Sequence, residues 1–269
     1  MLAPLSYLLA PTVAVLIAAL LLGRIRQWAG RIRRDKLLHS RHQDFDSLLA
    51  GYNPYYKSLT PEGRNRFLKR VLLFIDSKNF VYIDLQREES MPLLVSAAAV
   101  QLTFGLDHFR LGYFKTVYII KDKYSYGLSE TPFEGHVSAD GIYLSWTNFI
   151  REFANYSDGQ NVGLHEMAHA LTYANFTAKE DRDKTFHDSF TEFSTVARPI
   201  FERMKAGETT LLDPYAATNY QEFWAVCVET FFERSSSFKN QLPELYDSLC
   251  TLLNQDPLTT DKFLTVPAQ

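Results

Sequence analysis

The chain has 269 residues, 46% of them hydrophobic and 22% charged, with a formal net charge of −3. That balance belongs to a folded protein with a sizeable core, and it excludes a disordered or fibrous chain and a basic nucleic-acid binder. Two cysteines, Cys227 and Cys250, lie outside any CxxC pair, which excludes a cysteine-built zinc module and a disulfide-stapled scaffold.

Residues 2–23, LAPLSYLLAPTVAVLIAALLLG, carry no charge. As a helix they would rise about 33 Å, enough for a hydrocarbon core of about 30 Å. Arg24, Arg26, Arg31, Arg33, Arg34 and Lys36 follow at once. We therefore expect residues 1–23 to form a transmembrane anchor, its positive flank holding the body on the cytoplasmic side of a cell membrane. Residues 24–53 then read as a basic linker and lead-in, and residues 54–269 as one folded domain.

LTPEGRNRFLKRVLLFI opens that domain with a helix: Thr60 caps it, Pro61 takes the first helical position, and Glu62 favours the positive end of the dipole. NFVYIDL reads as a short strand. MPLLVSAAAVQLTFGL is too short to span a bilayer and includes Ser96 and Gln101, so it is expected to be a core helix. KTVYIIK and DGIYLSW are strand candidates rich in β-branched and aromatic residues. Beyond them come NVGLHEMAHALTYANF, an amphipathic stretch through Phe186, Phe190, Phe193, Val196 and Ile200, then YQEFWAVCVETFFE and PELYDSLCTLLNQ. A small early sheet with a helix-rich second half defines an α+β domain.

The chemistry concentrates in His165-Glu166-Met167-Ala168-His169. On a helix, residues four apart share a face, so both imidazoles can meet one ion. Glu166 is turned about 100° away and cannot join them, but it can reach a water on the ion's open side as a general base. Such a site needs a third protein ligand. The extended form with a third histidine fails, since Thr172 and Asn175 stand where glycine and histidine are required. His187 is a weak candidate, following a charged loop. Glu222 is the better one. It lies near the start of a helix that reads as capped by Thr218 and Gln221, is apolar almost all round, and carries Glu229 two turns on. A buried carboxylate needs a cation or a donor, which zinc would supply to Glu222 and a histidine N–H to Glu229.

The segments NVGLHEMAHAL, YAATNYQEFWAVCVETFFE and PELYDSLCTLLNQDP resemble the Mlc titration factor A family of zinc-dependent peptidases, and the likeness spans roughly residues 45–258. That family is similar in turn to the catalytic domain of anthrax lethal factor, so the resemblance implies a zincin-like metallopeptidase domain. It implies Zn2+ held by His165, His169 and Glu222, Glu166 as general base, and Tyr215, seven residues before the glutamate ligand, as a catalytic phenol. Many members have aspartate where Thr172 stands. The expectation is thus a membrane-anchored zinc peptidase acting on peptide or protein substrates, with no nucleic-acid partner. The alternatives are a zinc-stabilised module that sequesters a regulatory protein, and a structural domain with core histidines. GIYLSW is the expected sheet edge for an extended substrate.

Overall fold

The computed structural model describes residues 6–127, 131–155, 157–178, 183–259 and 262–263; for residues 6–12, 14, 16, 27, 35 and 154 it describes the backbone alone. The chain divides into two units, Met1–Asp44 and Phe45–Gln269.

The first unit is helical. Helix α1 (Ser6–Tyr52) runs from the apolar stretch straight through the arginines, with non-helical dihedrals only at Arg41 (φ −127°, ψ 15°). The expected basic linker is therefore helix, as its leucines, arginines and alanines favour. Among the described residues no helix is long and apolar enough to cross a membrane, so the expected transmembrane span finds no support here. Residues 1–5, and the side chains of 6–12, 14 and 16, fall outside what is described.

The second unit begins in the last turns of α1, where Leu49 is fully buried. Helix α2 (Pro54–Lys57) follows, then α3 (Pro61–Asp76), started as expected by Thr60, whose side chain accepts from Gly63 N. Strand β1 (Asn79–Ile83) leads to α4 (Ser90–Thr103), which is buried from Met91 to Thr103. Of its buried polar residues, Gln101 is paired: its Oε1 accepts from Asn53 Nδ2 at 2.8 Å, satisfying a group that would otherwise be costly to bury.

Strands β2 (Thr116–Ile120), β3 (Gly135–Ser138) and β4 (Gly141–Ser145) complete a four-stranded sheet in the order β1-β2-β4-β3. The first three neighbours run parallel; β3 pairs antiparallel with β4, His136 facing Tyr143. This corrects one expectation. GIYLS, residues 141–145, is β4, an interior strand, and the edge beside it is β3. The sequence Gly-His-Val-Ser has little of the β-branched and aromatic content that marks a strand, so periodicity does not reveal it.

Helix α5 (Trp146–Ala154) precedes α6 (Val162–Thr172), which passes into a π-helical turn (Tyr173–Thr177). Then come α7 (Lys184–Lys205), a 3-10 turn (Pro214–Ala217), α8 (Tyr220–Glu233), α9 (Ser235–Gln241) and α10 (Pro243–Leu253). The α+β expectation holds. Helix α6 lies in the core against α4 and the sheet, and Gly163 makes that possible: a Cβ there would fall 2.5 Å from Phe149 Cε2 and 3.2 Å from Ala98 Cβ.

Candidate metal centre

Helix α6 starts at Asn161, whose Oδ1 accepts from Leu164 N at 3.0 Å. Two further N–H groups at this end meet carboxylates: Asn161 N donates to Glu229 Oε2 at 2.6 Å and Val162 N to Glu152 Oε2 at 2.8 Å. Acids suit this terminus, where unpaired N–H groups and the positive dipole end coincide. From this anchored start, His165 and His169 follow one turn apart.

Helix α8 is capped by Asn219, whose Oδ1 accepts from Gln221 N and Glu222 N; Thr218 closes the preceding 3-10 turn instead, so the cap lies one residue beyond the Thr218 read from the sequence. Its register against α6 is fixed by Trp224 Nε1, which donates to the Ala168 carbonyl at 3.0 Å. Glu222 thereby reaches the two histidines, and Glu229, 5% exposed, accepts from His165 Nδ1 at 2.5 Å.

With Nδ1 engaged by Glu229, His165 turns Nε2 inward. That atom lies 3.1 Å from His169 Nε2 and 2.9 Å from Glu222 Oε2, while His169 Nε2 lies 3.4 Å from the same oxygen. Zinc bonds of 2.0–2.1 Å in a tetrahedron require ligand atoms about 3.3 Å apart. The donor types and their spacing fit a zinc-like ion, and His165, His169 and Glu222 form the one such cluster among the described residues.

Electrostatics agree. Burial would disfavour charge on Glu222, yet hydrogen bonds from His165 and His169 bring it down to about 2, keeping it an anion. Burial likewise opposes a proton on His165, but Glu229 and Glu222 raise its pKa well above the usual value. A cation arriving there displaces that proton. Burial raises Glu166 to about 7 against the pull of the two histidines, and its Oε2 is buried with no hydrogen-bond partner in the protein. A carboxylate so placed can accept a proton near neutral pH. Edge strand β3 passes directly over it: a Cβ on Gly135 would stand 2.5 Å from Glu166 Cγ and 2.6 Å from its Oε1.

Tyr215 sits on the 3-10 turn, 53% exposed, its ring centroid 6.2 Å from that of His165. It lines the same cavity of about 420 Å3 as His165, His169, Glu222 and Glu166. His187 stands apart from the cluster and packs on Phe176. The structure adds residues that sequence reasoning passed over. Asn161 and Glu233 extend the support of His165, Asn161 Nδ2 donating to Glu233 Oε1 at 2.9 Å, and Gly135 covers Glu166. Only the i, i+4 spacing of Glu229 and Glu233 hinted at the first pair.

Two imidazoles and an acid converging from separate helices of an α+β frame, beside a buried unpaired carboxylate, define a metallopeptidase-like protein. Family comparison gives the same answer: residues 27–253 match the glucose-regulated metallo-peptidase M90 family, and the chain belongs to it. An uncharacterized protein of Synechocystis sp., slr2042, is 26% identical over 84% of this chain and 89% of its own length. Mlc titration factor A of Salmonella agona is 28% identical over 43% of this chain and 45% of its own, and that of Escherichia coli (strain 55989 / EAEC) is 27% identical over 44% and 46%. The chain thus spans under half the length of the titration factors it matches.

Proposed function

We propose that this protein is a zinc-dependent peptidase. The observation that carries the reading is the approach of Glu222 to both imidazoles, with Glu166 buried and unpaired beside them. Zinc held by His165, His169 and Glu222 would supply Lewis acidity towards the scissile carbonyl and an acidified water. The chain's own groups do the rest. Glu229 fixes the His165 tautomer so that Nε2 faces the ligand point. Glu166 takes a proton from the attacking water and returns it to the leaving amine. Tyr215, on a turn at the cavity rim, donates its O–H to the developing oxyanion. The test is Glu166→Gln. Peptide hydrolysis should fall by at least about a hundredfold while bound zinc, measured by elemental analysis, stays stoichiometric. Equal hydrolysis by both proteins would end this reading.

A second reading draws on the name of two relatives, Mlc titration factor A. Here the zinc-stabilised domain captures a regulatory protein and cuts little. Capture and its cellular effect would then survive Glu166→Gln. Membrane attachment, with the body facing the cytoplasm, rests on the uncharged run 2–23 and its basic flank alone. Fractionation and reporter fusions at residues 1 and 269 test it; a protein recovered wholly without membranes counts against it.

A further inference from the structure

We infer that the cavity selects a neutral, bulky apolar substrate side chain beside the bond to be cut, with Phe176 as the specificity-determining residue; this rests on the peptidase reading. His165, His169 and Thr172 share one face of α6 at i, i+4 and i+7, and Phe176, on the turn that follows, lines the same cavity. The π-helical turn Tyr173–Thr177 presents that ring, and such turns often accompany functional sites.

Phe176 is 44% exposed, high for so apolar a residue, yet it is firmly held. Its ring lies 4.7 Å from His187 and 5.0 Å from Phe190, and Phe190 lies 5.3 Å from Trp224. The row therefore continues to the helix that bears Glu222. Tyr173, braced by Tyr113 at 5.4 Å, widens the wall.

Charge decides what this wall accepts. Among the described residues lining the cavity, the acids are Glu166 and Glu222, both at the metal centre, and lysine and arginine are absent. A charged side chain entering here would lose water and, among the described lining residues, meet no opposite charge away from the metal centre, whereas an apolar one gains by leaving water. The cavity, about 420 Å3, has room for an aromatic or branched aliphatic group.

The test uses internally quenched peptides that differ only in the residues flanking the scissile bond, set as Phe, Leu, Ala, Asp or Lys. Wild type is assayed for cleavage, and the zinc-loaded Glu166→Gln protein for binding of the same peptides by fluorescence anisotropy. The expected result is a preference for Phe and Leu over Asp and Lys of about tenfold to a hundredfold. It should be kept in Phe176→Leu, reduced in Phe176→Ala, and shifted towards Asp in Phe176→Lys. Zinc content and thermal melting confirm that each variant is folded. A flat profile, a preference for charged residues, or a preference untouched by all three substitutions overturns the inference. Apolar preference in binding without any cleavage by wild type supports the inference and overturns the peptidase reading, so the two fail separately.

Discussion

Gly135 belongs to the site although it carries no functional group. Its hydrogen lies where any larger side chain would enter the space of the Glu166 carboxylate. A buried Glu166, 4% exposed, has little freedom to swing aside. Gly135→Ala should therefore lower kcat for peptide hydrolysis by about tenfold or more, since displacement of a catalytic group by about 1 Å has that scale of effect. Zinc stoichiometry should stay at the wild-type level, because the atoms nearest the added methyl all belong to Glu166 and not to His165, His169 or Glu222. Steady-state kinetics with metal analysis checks both halves. Residues of this kind are illegible in a sequence. His165, Glu166 and His169 announce themselves because helical spacing converts directly into a shared face. Gly135 and Asn161 matter only because the chain brings distant segments against them, and no local pattern encodes that approach.

Among elements, the pairing of α6 with α8 decides whether there is a site at all. Three contacts set it: Trp224 to the Ala168 carbonyl, Glu229 to His165 and Asn161, and Glu233 to Asn161. Trp224 is also packed by Phe190 and Phe193. Trp224→Phe removes the N–H and part of the ring, leaving a small void. It should cost about 2–3 kcal/mol in denaturant unfolding and weaken zinc binding in chelator competition by loosening the register of Glu222. Stability lost with unchanged zinc affinity would show that the other two contacts suffice. Helix α8 was legible because a nearly all-apolar helix bearing Glu222 and Glu229 on one stripe demands partners for them. Its start was misread by one residue: Thr218 and Asn219 are both good caps, and the 3-10 turn claims the first. The edge strand was hidden for a different reason. Four residues that include glycine and serine form β3 because β4 offers a partner, not because they favour extension themselves.

At the scale of the molecule, acids gathered around the N-terminus of α6 make stability depend on pH. Burial, with Glu229 and Asp158 nearby, raises Glu233 to about 8 despite hydrogen bonds from Asn161 and Gly159. A carboxyl raised above its unfolded value near 4.3 favours the fold while protonated. Its contribution is complete at acid pH and disappears as pH climbs through about 8. Wild type should thus lose stability between pH 5 and 9, and Glu233→Gln should flatten that fall, as seen in urea midpoints at several pH values. An identical slope in the variant would assign the effect elsewhere. The α+β plan was readable because hydrophobic periods survive packing. The continuity of α1 through its arginines was not, because a basic stretch after an apolar run has no period to mark it as helix or linker.

The candidate ligands His165, His169 and Glu222 are split across α6 and α8, with the 22 residues of α7 between them. During synthesis a nascent chain offers its imidazole pair well before the acid that completes the set has left the ribosome. On the peptidase reading, tight capture of an ion would wait until α8 docks, so activity would come last, and a product terminated early in α7 would lack Glu222 and stay inert.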